Sequence, residues 1–129
     1  MIVVDDDASI RRALRTQLQI AGFNVLVFQS AEELLVSEFP AADACLLLDV
    51  RMPGMSGIEL CRNLAASGRH LPTILMSGLD DEQSRQKMRE AKPVASLFKP
   101  FDESSLIRAI RRALPKRSKP AALSAAGPR

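Results

Sequence analysis

The sequence predicts an α/β protein: one parallel sheet with helices wound over both faces. Three observations carry this. Five short apolar runs alternate with stretches of helical periodicity. The third run is apolar throughout after its first residue, as a strand covered on both faces must be. The residues that close the runs are acids, a hydroxyl and a lysine, chemistry suited to the carboxyl edge of such a sheet.

Ile2-Val3-Val4 forms the first strand. Ile10, Leu14, Leu18 and Ala21 then recur at helical spacing, with Gly22 as the stop. Phe23 to Phe28, "FNVLVF", reads as the second strand. Ser30, followed three residues later by Glu33, is a capping-box pattern that opens a short second helix. "DACLLL", Asp43 to Leu48, is the third strand. Gly57 to Ala66 is helical, with Ile58, Leu60, Cys61 and Leu64 on its apolar side. "PTILM", Pro72 to Met76, is the fourth strand. Asp80 to Ala91 is a polar helix in which Met88 stands nearly alone as a large apolar residue. "VASLF", Val94 to Phe98, is the fifth strand, and Asp102 caps a last helix carrying Leu106, Ile107, Ile110 and Leu114 on one face. Five such units in succession imply right-handed crossovers.

A chain of 129 residues, 47% hydrophobic and 26% charged, is long enough for a real core. No apolar run approaches bilayer length, and no basic region leads into an apolar stretch as a secretory signal would. Cys45 and Cys61 fit no metal or redox spacing, and a reducing cytoplasm is the default reading. The net charge of +3 is unevenly placed. Residues 115–129 hold Lys116, Arg117, Lys119 and Arg129 and no acid, which leaves the remainder with 14 basic against 15 acidic residues. The basic balance thus belongs to a Pro/Ala-rich linker or tail and is weak support for nucleic-acid binding.

The first strand delivers Asp5, Asp6 and Asp7, the third Asp49, the fourth Ser77, and the fifth Lys99-Pro100. Three adjacent carboxylates at the end of a buried strand repel one another and call for a cation, water or a helix start. Carboxylate oxygens match Mg²⁺, which binds through one or two carboxylates and keeps several waters. An aspartate can attack phosphorus to form an aspartyl phosphate. An ammonium and a hydroxyl can bind the other phosphoryl oxygens. No phosphate-cradling glycine loop is present.

"VVDDD", "LLLDVRMPGMSG", "TILMSG" and "LFKPF" stand on consecutive strand ends. In this order and spacing they resemble a receiver domain of bacterial two-component response regulators, and the wording is similar to receivers of LuxR/FixJ-type regulators. The resemblance covers residues 1–114. It implies a flavodoxin-like (βα)5 fold with strand order 2-1-3-4-5. It implies that Asp49 accepts a phosphoryl group from a sensor histidine kinase, making the chain a switch rather than an enzyme. Mg²⁺ is then held by Asp6, Asp49 and the backbone carbonyl of Arg51, with Asp5 acting through water. Ser77 is the switch hydroxyl, Lys99 pairs with the phosphoryl group, and the Lys99-Pro100 peptide is cis. Arg51 and Leu79 fall at positions that tune the lifetime of the phosphorylated state. The readout face is the fourth helix, fifth strand and fifth helix, which also offers a homodimer contact. DNA would be reached only through an output domain outside this chain.

Two departures stand out. The family pattern places an aromatic residue three before the lysine, where this chain has Ser96, and Gly-Ala before the fifth strand, where it has Lys92-Pro93. The first strand also begins nearly at Met1, with fewer leading residues than receivers usually carry. The proline removes a backbone donor and restricts its predecessor, so the fourth helix is expected to be loosely held. These departures suggest the rival reading, a receiver-like interaction module that does not switch. An aspartate-nucleophile phosphatase would want an acid at position 51, which is arginine. Asp7 reads as a helix-start acid, His70 as an exposed loop residue, and Arg108, Arg111 and Arg112 as a solvated face.

Overall fold

A computed structural model describes residues 1–39 and 43–114. The expected linker, 115–129, lies outside the described residues. The elements follow in order: β1 Ile2–Val4, α1 Ala8–Ile20, β2 Leu26–Phe28, α2 Ala31–Leu35, β3 Leu46–Asp49, α3 Gly57–Ala66, β4 Thr73–Ser77, α4 Glu82–Glu90, β5 Ala95–Phe98 and α5 Glu103–Ala113. The sheet runs β2-β1-β3-β4-β5 and every pairing is parallel.

Alternation along the strands divides the core into two layers. Val3, Leu47, Ile74 and Met76 face α1 and α5, meeting Leu14, Leu18, Leu106 and Ile110. Ile2, Val4, Leu46, Leu48 and Leu75 face α2, α3 and α4, meeting Leu34, Leu60, Leu64 and Met88. The three central strands are buried on both sides, which is why "LLLD" shows no polar alternation.

Three strands are shorter than their apolar runs: β5 starts one residue late, at Ala95, and β2 and β3 lose more. Phe23 does not join β2, because its N–H still bonds Leu18 O at the end of α1 and Gly22 turns the chain at φ 100°. Asp43 sits at φ 60°, so the third strand begins only at Leu46 and extends one residue further, to Asp49. The Ser30 cap accepts from Glu33 N as expected, but the Glu33 carboxylate reaches the N–H of Gln29 instead of closing a box. A full capping box forms at Ser56 and Glu59, opening α3. In α4, Met88 alone is buried. No helix among the described residues is long and apolar enough to cross a membrane.

Candidate functional site

β1, β3, β4 and β5 end side by side, so the residues following or closing them share one rim. Asp5, immediately after β1, is fully buried, and Asp49, closing β3, is 5% exposed. Asp6 is exposed. Carboxylate oxygens of Asp5, Asp6 and Asp49 lie within 4.8 Å of one another.

Asp5 survives burial because both of its carboxylate oxygens are engaged: Oδ1 accepts the N–H of Asp7 at 2.9 Å, and Oδ2 accepts from Lys99 Nζ at 2.8 Å. Its backbone carbonyl accepts from Arg11 Nη1 at 2.7 Å, a support visible only in the structure. Lys99 Nζ also stands 3.4 Å from Asp49 Oδ1. Burial opposes the charge on Lys99. The Asp5 hydrogen bond and the charges of Asp49 and Asp5 outweigh it and hold the ammonium above its ordinary range. Asp49 is pushed up to about 6. Desolvation is the main cause and the Asp5 charge the next, with Lys99 pulling in the other direction. The Lys99-Pro100 peptide is cis.

Ser77 closes β4 and is buried. Its hydroxyl donates to Leu79 O at 3.1 Å and accepts from Leu79 N at 3.0 Å, so it is turned into the β4–α4 loop. Lys99 N–H donates to Ser77 O at 2.8 Å and fixes the two strand ends together. The Arg51 side chain is exposed, Leu79 is partly buried and Ser96 is exposed. Asp7 caps α1 through the N–H groups of Ser9 and Ile10. His70, Arg108, Arg111 and Arg112 are exposed.

Two further supporting residues, besides Arg11, emerge only from the structure. A Cβ on Gly57 would lie 2.4 Å from Asp49 O, so the start of α3 rests against the backbone of Asp49. The one hint in the sequence is a glycine inside a helical pattern. Glu32 on α2 accepts the N–H of Met55 at 2.8 Å and ties α2 to the loop after β3.

Fold and rim together define a class: doubly wound proteins with a carboxylate cluster and one lysine at the carboxyl ends of a parallel sheet. Residues 1–111 match the response regulator receiver domain, and the chain belongs to that family. It is 40% identical over 112 residues to the response regulator protein TmoT of Ectopseudomonas mendocina, covering 87% of this chain and 51% of that protein. It is 37% identical over 111 residues to the transcriptional regulatory protein FixJ of Rhizobium meliloti, covering 86% and 54%. The chain therefore spans about half the length of these curated relatives. The crystal structure of FixJ-N superposes with a TM-score of 0.78 at 37% identity, covering 88% of this chain and 91% of that one. The response regulator StyR gives 0.81 at 37% identity, covering 97% and 63%. Receiver domains are phosphoacceptor switches that use Mg²⁺ at an acidic pocket, and such a cluster is present here.

Proposed function

We propose that Asp49 is the phosphoacceptor and that a sensor histidine kinase is the donor. The observation that carries this reading is the convergence of Asp5, Asp6 and Asp49 to within 4.8 Å, with Lys99 set between Asp5 and Asp49. An Asp49 carboxylate oxygen attacks the phosphorus of a phosphohistidine. The phosphorus–nitrogen bond breaks, the imidazole leaves with its electron pair, and an acyl phosphate remains on Asp49. The all-oxygen donor set fits Mg²⁺, with Asp6, Asp49 and the Arg51 carbonyl as direct ligands and Asp5 acting through water. When bound, the ion supplies positive charge against the phosphoryl oxygens.

Lys99 then moves its ammonium from Asp5 and Asp49 to a phosphoryl oxygen, and Ser77 turns its hydroxyl from Leu79 to another. Arg51 and Leu79 flank the new group and set how readily water reaches it. The chain assists its own phosphorylation and dephosphorylation and catalyses nothing else. It works in the cytoplasm, as the receiver of a regulator with an output domain or beside a separate target, and reaches DNA only through such an output domain. The face of α4, β5 and α5 passes on the signal and offers a homodimer contact.

The test is incubation with Mg²⁺ and acetyl phosphate followed by intact mass. Wild type gains one phosphoryl group and Asp49→Asn gains none; equal labelling of the two refutes the assignment. The exposed Ser96 favours a second reading, an interaction module that does not switch. That reading requires partner binding to be indifferent to Mg²⁺ and phosphodonor.

A further inference from the structure

The chemistry at the rim leaves Asp80, Arg85 and Phe98 without a role, yet they form a continuous bridge from the Ser77 hydroxyl to β5. Ser77 Oγ engages both the N–H and the carbonyl of Leu79. The next residue, Asp80, takes the Arg85 guanidinium with both oxygens, Nε on Oδ1 and Nη2 on Oδ2 at 3.0 Å. That guanidinium lies over the Phe98 ring, 5.5 Å from its centroid. Phe98 precedes Lys99, whose N–H returns to Ser77 O at 2.8 Å. The circuit returns to the residue it left: Ser77 hydroxyl, loop, α4, β5, Ser77 carbonyl.

An exposed ion pair alone contributes little, because water and side-chain entropy cancel most of its attraction. Arg85 differs in being fixed from two directions, by a two-pronged carboxylate and by a ring face, which suits the planar guanidinium and would not suit an ammonium. Ser96 offers no ring: it is exposed and borders a hollow of about 280 Å³ with Arg85, Met88, Arg89 and Phe98. Phe98 is thus the aromatic side chain at this end of β5 against which α4 can register a movement. Met88 is α4's single buried residue, so little core packing opposes a movement carried by Arg85.

We propose that Arg85 is the positioning residue that transmits the turn of Ser77 to the α4–β5 surface, through Asp80 on one side and the Phe98 ring on the other. This rests on the phosphoacceptor reading above. When Ser77 leaves Leu79, Asp80 shifts with the loop, carries Arg85, and changes the stack on Phe98.

The test is amide NMR of the whole chain with and without beryllium fluoride and Mg²⁺, a mimic of the phosphoryl group. In wild type the amides of Ser77 to Asp80 and those of Arg85 to Arg89 and Ser96 to Phe98 all shift. In Arg85→Ala the first group shifts as before and the second loses its response. Arg85→Lys keeps the charge but loses the fork, and does not restore it. Phe98→Leu breaks the ring contact with Arg85 in place, giving the same separation should Arg85→Ala not fold. Loss of the ring contact changes the ratio of the two states about 2- to 5-fold. A full response of α4 and β5 in both variants overturns the role of Arg85. A wild type in which no rim amide responds overturns the phosphoacceptor reading itself.

Discussion

Replacing Gly57 by alanine tests how tightly α3 is seated against Asp49. The added Cβ would stand 2.4 Å from Asp49 O, 3.1 Å from Asp49 C and 3.2 Å from Val50 Cα. All three are backbone atoms of buried or half-buried residues in a central strand and its exit, so none can swing aside as a side-chain tip would. Reaching even 3.0 Å from that oxygen requires about 0.6 Å of movement by α3 or by the end of β3. Alanine is the better helix former by about 1 kcal/mol, which works in the variant's favour. Overpacking a tight contact costs about 1–3 kcal/mol. The net expectation is a loss of up to about 2 kcal/mol, with about 3–5 °C in unfolding midpoint for each kcal/mol in a chain of this size. Because a misplacement near 1 Å can cost about 100-fold in a positioned reaction, acetyl phosphate labelling at Asp49 should slow by about 10-fold or more. The assay pairs thermal unfolding with time-resolved intact mass. Gly78→Ala is the control: nothing lies within 4 Å of its Cβ and its φ is outside the left-handed range, so its midpoint should hold. A Gly57→Ala protein as stable and as quickly labelled as wild type would refute the reasoning.

Other expectations concern charge. Asp49 sits at about 6 in the folded chain, above its unfolded value of 3.8. The folded state therefore binds the extra proton between those limits, and in metal-free buffer stability falls by up to about 3 kcal/mol as pH rises from about 4 to 6. Urea titrations across that range should show the slope in wild type and its absence in Asp49→Asn. Lys99→Met leaves the buried Asp5 carboxylate without its ion pair and removes the cation that holds Asp49 down; urea unfolding in EDTA at pH 7.5 should show a loss of up to about 3 kcal/mol, smaller when Mg²⁺ is added. An unchanged midpoint would mean water already compensates Asp5. Glu32 is lowered by the backbone N–H of Met55, so the tether from α2 is present at neutral pH and lost as pH falls through the carboxyl's depressed range. Glu32→Gln should raise the hydrogen-exchange rate of Met55 and leave that of Leu47 unaltered.

The sheet was legible because its signals are local. A central parallel strand needs apolar residues on both faces, and "LLLD" or "TILMS" can satisfy no other environment easily. The rim was legible for a related reason: strand ends must carry whatever chemistry the fold presents, so Asp5, Asp49, Ser77 and Lys99 could be singled out by position. Boundaries were less so, since whether Phe23 pairs as a strand depends on how the chain leaves α1. The state of each side chain was not legible at all. That Lys99 rests on Asp5 at 2.8 Å and that Ser77 faces Leu79 are outcomes of competing hydrogen bonds across elements. The Gly57 and Arg85–Phe98 contacts join one secondary-structure element to another, and no periodicity encodes them.

α4 and α5 flank β5 but are moored very differently. α5 sinks Leu106, Ala109, Ile110 and Ala113 into the core, whereas α4 commits Met88 alone. Lifting one large apolar side chain into water costs about 1.5–3 kcal/mol, and freeing α5 would cost several times that. An event at the rim worth only a few kcal/mol can therefore tilt α4 while α5 stays put. The surface has a lever and a fulcrum built from the same two-layer core, and the division of labour between them is written in how many residues each helix keeps dry.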